Sequence, residues 1–551
     1  MSASAKKKLR KEENAALLTE KQRKERKEAR SLKIYTWIFV ALIVVILVAT
    51  LAIVGTNYYR NSGIVEKHTV AAVIDDYEFN SVEMNYYYTD LLNSSLTSWN
   101  NTYGSSMQFY LSLMGLDITQ PLSAQSYTED TTWADYFVES AVEQAKSDYL
   151  LCKQAEAEGF TLSDETRSEL DASISNLTLY ASVYGYSDVD AYLRAMYGPG
   201  SNVESYSAYA EKNALATAYY NDHSDNLQID DAAIRDYEAD KFDEYSSFSY
   251  ATYTINYSDY LTGGTEDENG TVTYSDEEKD AARAAAKAAA DSLPTCNTVD
   301  ALKAAVVDLT GNEDAADNCN VVTDALYSTI GSNYRQWLAD SSRKDGDFTV
   351  MPIESTITND DGEEVTIVNT YNVILFLGRN DNNMPLANVR HILVKFPGGT
   401  TDSDGNVTYS DEEKAEALAE AEDILAEYLA GDATEESFAA LATEKTDDTG
   451  SAATGGLYED ITPEQGVYVE SFTNWATDPE RKAGDTGIIE SNFGYHVMYY
   501  VGDDELTYRD YMIREDIRTE TMSAWYEDIL ASTEIVIENT SKLDRDIVLS
   551  K

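Results

Sequence analysis

A decapeptide that returns almost unchanged constrains this chain more than any other feature. GTVTYSDEEK at residues 270–279 recurs as GNVTYSDEEK at 405–414. Each copy follows a Gly-Gly-Thr (263–265 and 398–400) and precedes an Ala/Glu-rich stretch with helical spacing. Downstream, WLADSSRKDGD at 337–347 matches WATDPERKAGD at 475–485, and YNVILFLG at 371–378 matches YHVMYYVG at 495–502. Matches that keep their order and nearly their offset mark a duplicated folding unit. Each unit reads strand, loop, helix, helical middle, loop, strand. In the second, the first strand is 389–396 (VRHILVKF) and the last is 495–501. Terminal strands with alternating apolar residues must share one core, which predicts an α+β unit on an antiparallel sheet. The first unit has the longer middle and a polar turn at 360–363 before its last strands.

An uncharged apolar run of 21 residues, 34–54, is long enough for one bilayer crossing. The 33 residues before it carry 12 Lys/Arg against 5 Asp/Glu, and residues 60–551 carry 29 against 93. The basic side stays cytoplasmic, so the acidic bulk is expected outside, leaving a single-pass chain in the cell membrane. The run exceeds the roughly 7–15 apolar residues of a cleaved signal peptide, so an uncleaved anchor is the reading and cleavage the alternative. No Cys follows the run closely enough for a lipid anchor.

The net charge of −57 argues against nucleic acid, whose phosphates demand Lys and Arg. Its first reading is solubility beside an anionic envelope; the sharper one is attraction for cationic unfolded chains and divalent ions, and composition does not choose. A hydrophobic content of 43% excludes a wholly disordered chain. Three Cys are too few for a disulfide scaffold, and four scattered His point to no metal or other cofactor. The acidic loops at 400–411 and 265–276 approximate a calcium loop, but the first position is Thr and the last Asp. A hairpin turn at Asp404-Gly405 and Asn269-Gly270 explains the same residues.

Residues 65–245 read mostly as helix, over 82–92, 133–157, 163–180, 189–196 and 203–220, with breakers at Gly159, Gly185 and 198–200. A strand at 69–74 turns at Asp75-Asp76 toward the first of these. An amphipathic helix at 507–532 and a short strand at 534–538 end the chain.

The second repeat carries the chemistry. His391 lies on its first strand and His496 on its last; if those strands pair, both imidazoles reach one face. Paired imidazoles fix each other's tautomer without a metal. Asp448, in TDDTGSAATGG, lies between them, with Leu457, Tyr468, Phe472 and Phe493 as an apolar rim. The same residues are compatible with a His pair that merely ties two strands together, the commoner use of buried polar pairs.

Over 387–502 this unit resembles a parvulin-type peptidyl-prolyl cis-trans isomerase domain. The resemblance rests on VRHILVKF, the helix at 411–431, ESFAALATEKTDDTGSAATGG, the 468–472 segment and GDTGIIESNFGYHVMYYVG. It implies active-site histidines at His391 and His496, an acidic position at Asp448, and a proline pocket from Tyr468, Phe472, Leu457 and Phe493. Leu457-Tyr458-Glu459 departs from the usual Asp-Leu-Gly, and Tyr468 stands where Met is usual. The helical segment is similar to the chaperone module of PrsA-like and SurA-like foldases, in which the C-terminal helix packs back on that module. The implied chain is an α+β multidomain foldase: a cytoplasmic tail (1–33), an anchor (34–56), a chaperone module (65–245), a degenerate parvulin-like domain (246–382), an isomerase domain (386–503) and a C-terminal segment (504–551). Its expected partners are unfolded, proline-containing exported polypeptides and the membrane; a dimer is left open. A non-catalytic holding chaperone is the alternative. The first repeat has Asn372 where the second has His496, and no His in its first strand, so silence is expected there.

Overall fold

The structure, a computed structural model, describes residues 2–16, 42–239, 241–266, 270–358, 363–401, 407–464 and 466–549. Most of the basic tail, the first part of the apolar run (34–41) and the turn residues Asn269, Asp360-Asp361-Gly362 and Asp404-Gly405 lie outside the described residues. The anchor and calcium-loop expectations therefore fall partly outside them. The helix Leu42–His68 is long and apolar enough to cross a membrane. Contacts divide the chain into two units, 1–227 with 521–551, and 228–520. The division falls before the 245 boundary drawn from the sequence, because Ile234 and Tyr245 bury against Ile513 and the Arg509 side chain engages Glu238 and the Phe242 carbonyl.

The helices of the first unit include Ser81–Tyr103, Trp133–Glu158, Asp164–Val183, Val189–Tyr197 and Val203–Asp225. Local chemistry sets their starts: Asn80 with Glu83, and Thr132 with Asp135, each form a reciprocal capping box. Left-handed Gly159 (φ 73°) ends the second. The first helix runs eleven residues beyond the expected 92, since Leu96 and Trp99 also pack on the core. Before it the chain forms two strands rather than one: Asp75 adopts φ 57° and closes a hairpin of Val70–Ile74 with Tyr77–Asn80. Ile535–Ile537 adds the third strand.

The second unit holds both repeats. The first contributes β1 (Ser247–Asn256), β2 (Asn320–Leu326), β3 (Phe348–Thr358) and β4 (Glu364–Asn380). The second contributes β5 (Pro385–Lys395), β6 (Leu457–Ile461), β7 (Thr486–Glu490) and β8 (Gly494–Thr507). Strand orders are β2-β1-β4-β3 and β6-β5-β8-β7, all antiparallel. The repeat in sequence is thus a repeat in topology. The expected helical middles are corrected: each also holds a short edge strand, β2 or β6, and ends in a hairpin partner, β3 or β7.

The decapeptide has a mechanical explanation. Ser275 and Ser410 cap helices Asp276–Ser292 and Asp411–Ala430, with Glu278 and Glu413 completing the capping boxes. The same glutamates accept the backbone N–H of Gly264 (3.0 Å) and Gly399 (2.9 Å), pinning the Gly-Gly turn to the helix start. Thr400–Thr401 pairs with Val407–Thr408 as a two-residue ribbon, in keeping with a hairpin.

The sheet of the second repeat has two dressed faces. Ile392, Val394 and Val497 pack with Ala421, Ile424, Phe438 and Ala442 of helices Asp411–Ala430 and Glu435–Lys445. The opposite face carries Val389, Met498 and Tyr500 against Phe472 and Trp475 of the short helix Glu470–Ala476. The candidate chemistry sits on this second face.

Candidate active site

β5 and β8 are neighbours, with Met498 opposite His391 and Leu393 opposite His496. Side chains two residues apart share a face. His391 and His496 are therefore diagonal neighbours, and their Nδ1 atoms lie 3.0 Å apart with ring centroids at 5.2 Å. Both are buried, at 3% and 5% exposure. Asp448 reaches them from the loop after Glu435–Lys445, its Oδ2 2.9 Å from His391 Nε2. Thr446 fixes that loop, accepting the N–H of Leu393 (3.0 Å) and of Asp448 (3.1 Å).

Three more side chains complete the network. The Ser451 hydroxyl donates to Asp448 Oδ2 at 2.5 Å, and the Tyr458 hydroxyl donates to the same oxygen at 3.1 Å. Ser491 Oγ lies 2.8 Å from His496 Nε2. These partners assign the protons. A carboxylate only accepts, so His391 donates from Nε2 and accepts at Nδ1. His496 then donates from Nδ1 and accepts the Ser491 hydroxyl at Nε2. The result is a one-way hydrogen-bond chain, Ser491 to His496 to His391 to Asp448, with both imidazoles neutral.

The electrostatics agree with that assignment. Burial pushes His391 below the ordinary imidazole range despite the adjacent Asp448. Burial, with His391 alongside, pushes His496 down to about 4. Burial works upward on Asp448, yet hydrogen bonds from Ser451, His391 and the Gly450 N–H hold its carboxyl at about 2. Burial and the Asp448 charge raise Tyr458 to about 12, so it remains a donor.

Aromatic rings stand over this floor. Phe472 meets His391 edge-on at 5.4 Å and His496 at 5.8 Å. Tyr468 lies 5.5 Å from Phe472 and 5.6 Å from Tyr458, whose own ring is 5.2 Å from His391. Phe472 is buried, while Tyr458 and Tyr468 are half-buried. Two expected rim residues are not in this cluster. Leu457 pairs with Arg390, so its side chain belongs to the helix-covered face and its neighbour Tyr458 faces His391. Phe493 sits in the β7–β8 turn at 55% exposure, outside the ring contacts.

Ser451, Tyr458, Ser491 and Thr446 were not singled out from the sequence. A Ser three residues after Asp448 is the one local signal that pointed to them; the others depend on strand register. Glycine sets that register. Gly456 (φ 72°) accepts the His391 N–H through its carbonyl at 2.8 Å, and a Cβ there would stand 2.2 Å from the His391 carbonyl oxygen. In the first repeat, Asn372 opposite Thr254 and Ile374 opposite Thr252 put Thr252 and Asn372 at the two histidine positions. That face is filled by Phe248, Tyr250, Ile374 and Phe376.

Residues 371–502 match the family model described as a PPIC-type PPIASE domain. No curated protein matches the chain. Among solved structures, PrsA from Bacillus subtilis is 12% identical, over 76% of this chain and 95% of that one, with a TM-score of 0.28. Peptidylprolyl isomerase PrsA from Bacillus anthracis is 22% identical over 28% of this chain, with a TM-score of 0.17; the match spans 59% of that protein. Its counterpart from Bacillus cereus is 24% identical over 31% of this chain and 59% of that one, with a TM-score of 0.17. The later part of this chain thus carries a parvulin-type peptidyl-prolyl cis-trans isomerase domain.

Proposed function

We propose that the protein is a membrane-anchored foldase that holds unfolded exported polypeptides and isomerises their X–Pro bonds with the second repeat. The carrying observation is the Ser491–His496–His391–Asp448 chain, with its two histidines buried, beneath Phe472, Tyr458 and Tyr468.

The barrier to X–Pro rotation, ~18–20 kcal/mol, comes from amide resonance, while cis and trans differ by only about 0.5–1 kcal/mol. A catalyst need only bind the twisted amide better than either planar form. In this reading Phe472 and Tyr468 hold the pyrrolidine ring and exclude water, which weakens the resonance form with separated charge. The neutral imidazoles and Asp448 give a fixed dipole pattern around the rotating carbonyl. The route is noncovalent, because a carboxylate held at about 2 is a poor nucleophile toward an amide.

His391, His496 and Asp448 are the polar residues of this proposal, and Phe472, Tyr468 and Tyr458 its pocket. The first repeat is a tandem parvulin-like domain without activity, a spacer or client surface; its strand order and its Thr252 and Asn372 support that. The helical segment of the first unit serves as the chaperone body. The apolar helix anchors the chain with the basic tail in the cytoplasm and the bulk outside.

The test is isomerisation of a proline tetrapeptide by the full chain and by the double variant His391→Ala/His496→Ala. The variant is expected to lose at least 90% of kcat/KM while keeping its fold by circular dichroism. Equal rates would remove the assigned site, and an inactive wild type would leave a non-catalytic holding chaperone.

A further inference from the structure

A buried acid without a basic partner singles out one place in the first unit. Asp148, on helix Trp133–Glu158, is 3% exposed. Gln144 Nε2 donates to its Oδ1 at 3.0 Å and Asn213 Nδ2 to its Oδ2 at 3.1 Å. Both donors are neutral amides, the Tyr87 hydroxyl also bonds to the carboxylate, and no ion pair engages Asp148 among the described residues. Hydrogen bonds orient such a charge but do not neutralise it, and a buried uncompensated carboxylate is costly.

A cavity of about 340 Å³ opens beside it, with Ser147 next to the carboxylate. Tyr220 and Tyr526 form one corner, their rings edge-to-face at 87° and 5.9 Å. The Tyr526 hydroxyl donates to Ser147 Oγ at 2.7 Å, which fixes that ring. Leu151 and Ala216 give an aliphatic side, and exposed Thr217 stands at the mouth. Such a cavity combines a carboxylate for charge, two aromatic rings for a soft cation and an apolar wall for a stem.

We propose that this cavity binds an organic cation, a guanidinium or ammonium group on an aliphatic stem, with Asp148 as its counter-ion. A metal ion fits poorly, because no group of His, Cys, Asp and Glu able to hold one occurs among the described residues. A neutral apolar ligand would leave the carboxylate uncompensated. Burial also pushes Asp148 above the ordinary carboxylate range, which favours the neutral acid until a cation pairs with the charged form. The cation has two sources, a Lys or Arg side chain of an unfolded polypeptide or a free small amine or guanidine. Only the first source rests on the foldase reading; the cavity's chemistry does not.

The experiment titrates the full chain in lipid nanodiscs with n-butylguanidinium by calorimetry, with n-pentanol as the neutral control. Two peptides without proline follow, one with a central Arg and one with citrulline in its place. Wild type is expected to bind n-butylguanidinium and not n-pentanol. Asp148→Asn should weaken binding at least tenfold, and Thr217→Trp, an exposed change that plugs the mouth, should do the same without touching the buried network. Binding of the Arg peptide but not its citrulline twin assigns the source to polypeptides, whereas binding of n-butylguanidinium alone assigns it to small molecules. Absence of n-butylguanidinium binding, equal n-pentanol binding, or unchanged binding in both variants overturns the proposal. Isomerase rates on the same samples separate this failure from failure of the foldase reading.

Discussion

Tyr458 and Leu457 are adjacent in sequence and face opposite sides of the sheet, so they separate pocket chemistry from packing. Tyr458→Phe keeps the ring against His391 and removes one donor from Asp448. A lost hydrogen bond to a charged group is worth ~1.5–3 kcal/mol, so kcat/KM for a proline tetrapeptide should fall about tenfold to 150-fold. Leu457→Ala should leave kcat/KM within about twofold, because its side chain lies behind the sheet. Acid should act on the same residues. A proton on His391 Nδ1 would face the N–H of His496, so uptake is resisted until His496 Nε2 titrates. His496 has a folded value of about 4, below the ordinary 6.5. Unfolded chains then bind more protons than folded ones between those values, so stability is present above pH 6.5 and is lost as pH falls toward 4. Asp448, also lowered, adds a loss in the same direction below its ordinary 3.8. Urea midpoints of the full chain should be flat from pH 7 to 8 and fall from pH 6.5 to 4. A midpoint that rises on acidification would contradict the neutral pair.

At the scale of elements, Gly456 binds β5 to β6. Gly456→Ala would put a Cβ into the His391 carbonyl at a left-handed φ, where L-residues are strained. Isomerase activity should be lost, and the variant should be destabilised by about 2 kcal/mol or more in urea unfolding. The first repeat gives the complementary experiment. Thr252→His with Asn372→His would set two imidazoles at the histidine positions, yet no activity should appear. That face is occupied by Tyr250, Ile374 and Phe376 and lacks the Asp448 loop. Activity of this double variant, measured in a His391→Ala/His496→Ala background, would refute a silent first repeat. Element positions were largely legible, because capping residues and apolar periodicity are local. Asn80, Thr132, Ser275 and Ser410 mark helix starts within a residue or two of the sequence reading. The edge strands β2, β3, β6 and β7 were not legible. Each spans few residues or lies at a sheet edge, and their pairing is decided by partners far along the chain.

Over the whole molecule, charge is the dominant global property. With 93 acidic against 29 basic residues after the apolar helix, self-repulsion opposes the compact state. The melting temperature of the full chain should rise as NaCl increases from 10 to 150 mM, over which the Debye length falls from ~30 to ~8 Å. A decrease would show that paired charges outweigh the net repulsion. By itself the sequence determined the duplication, the apolar helix and the helix starts, because these follow from local periodicity and capping, while His391, His496, Asp448 and Phe472 were singled out through the resemblance to the parvulin family. Only the tertiary structure decided that Tyr458 rather than Leu457 faces the histidines, that Ser451 and Ser491 close the hydrogen-bond chain, and that Asp148 is buried beside a cavity. The reason is register: a shift of one residue along a strand exchanges its two faces, and burial of a side chain depends on elements that no local window contains.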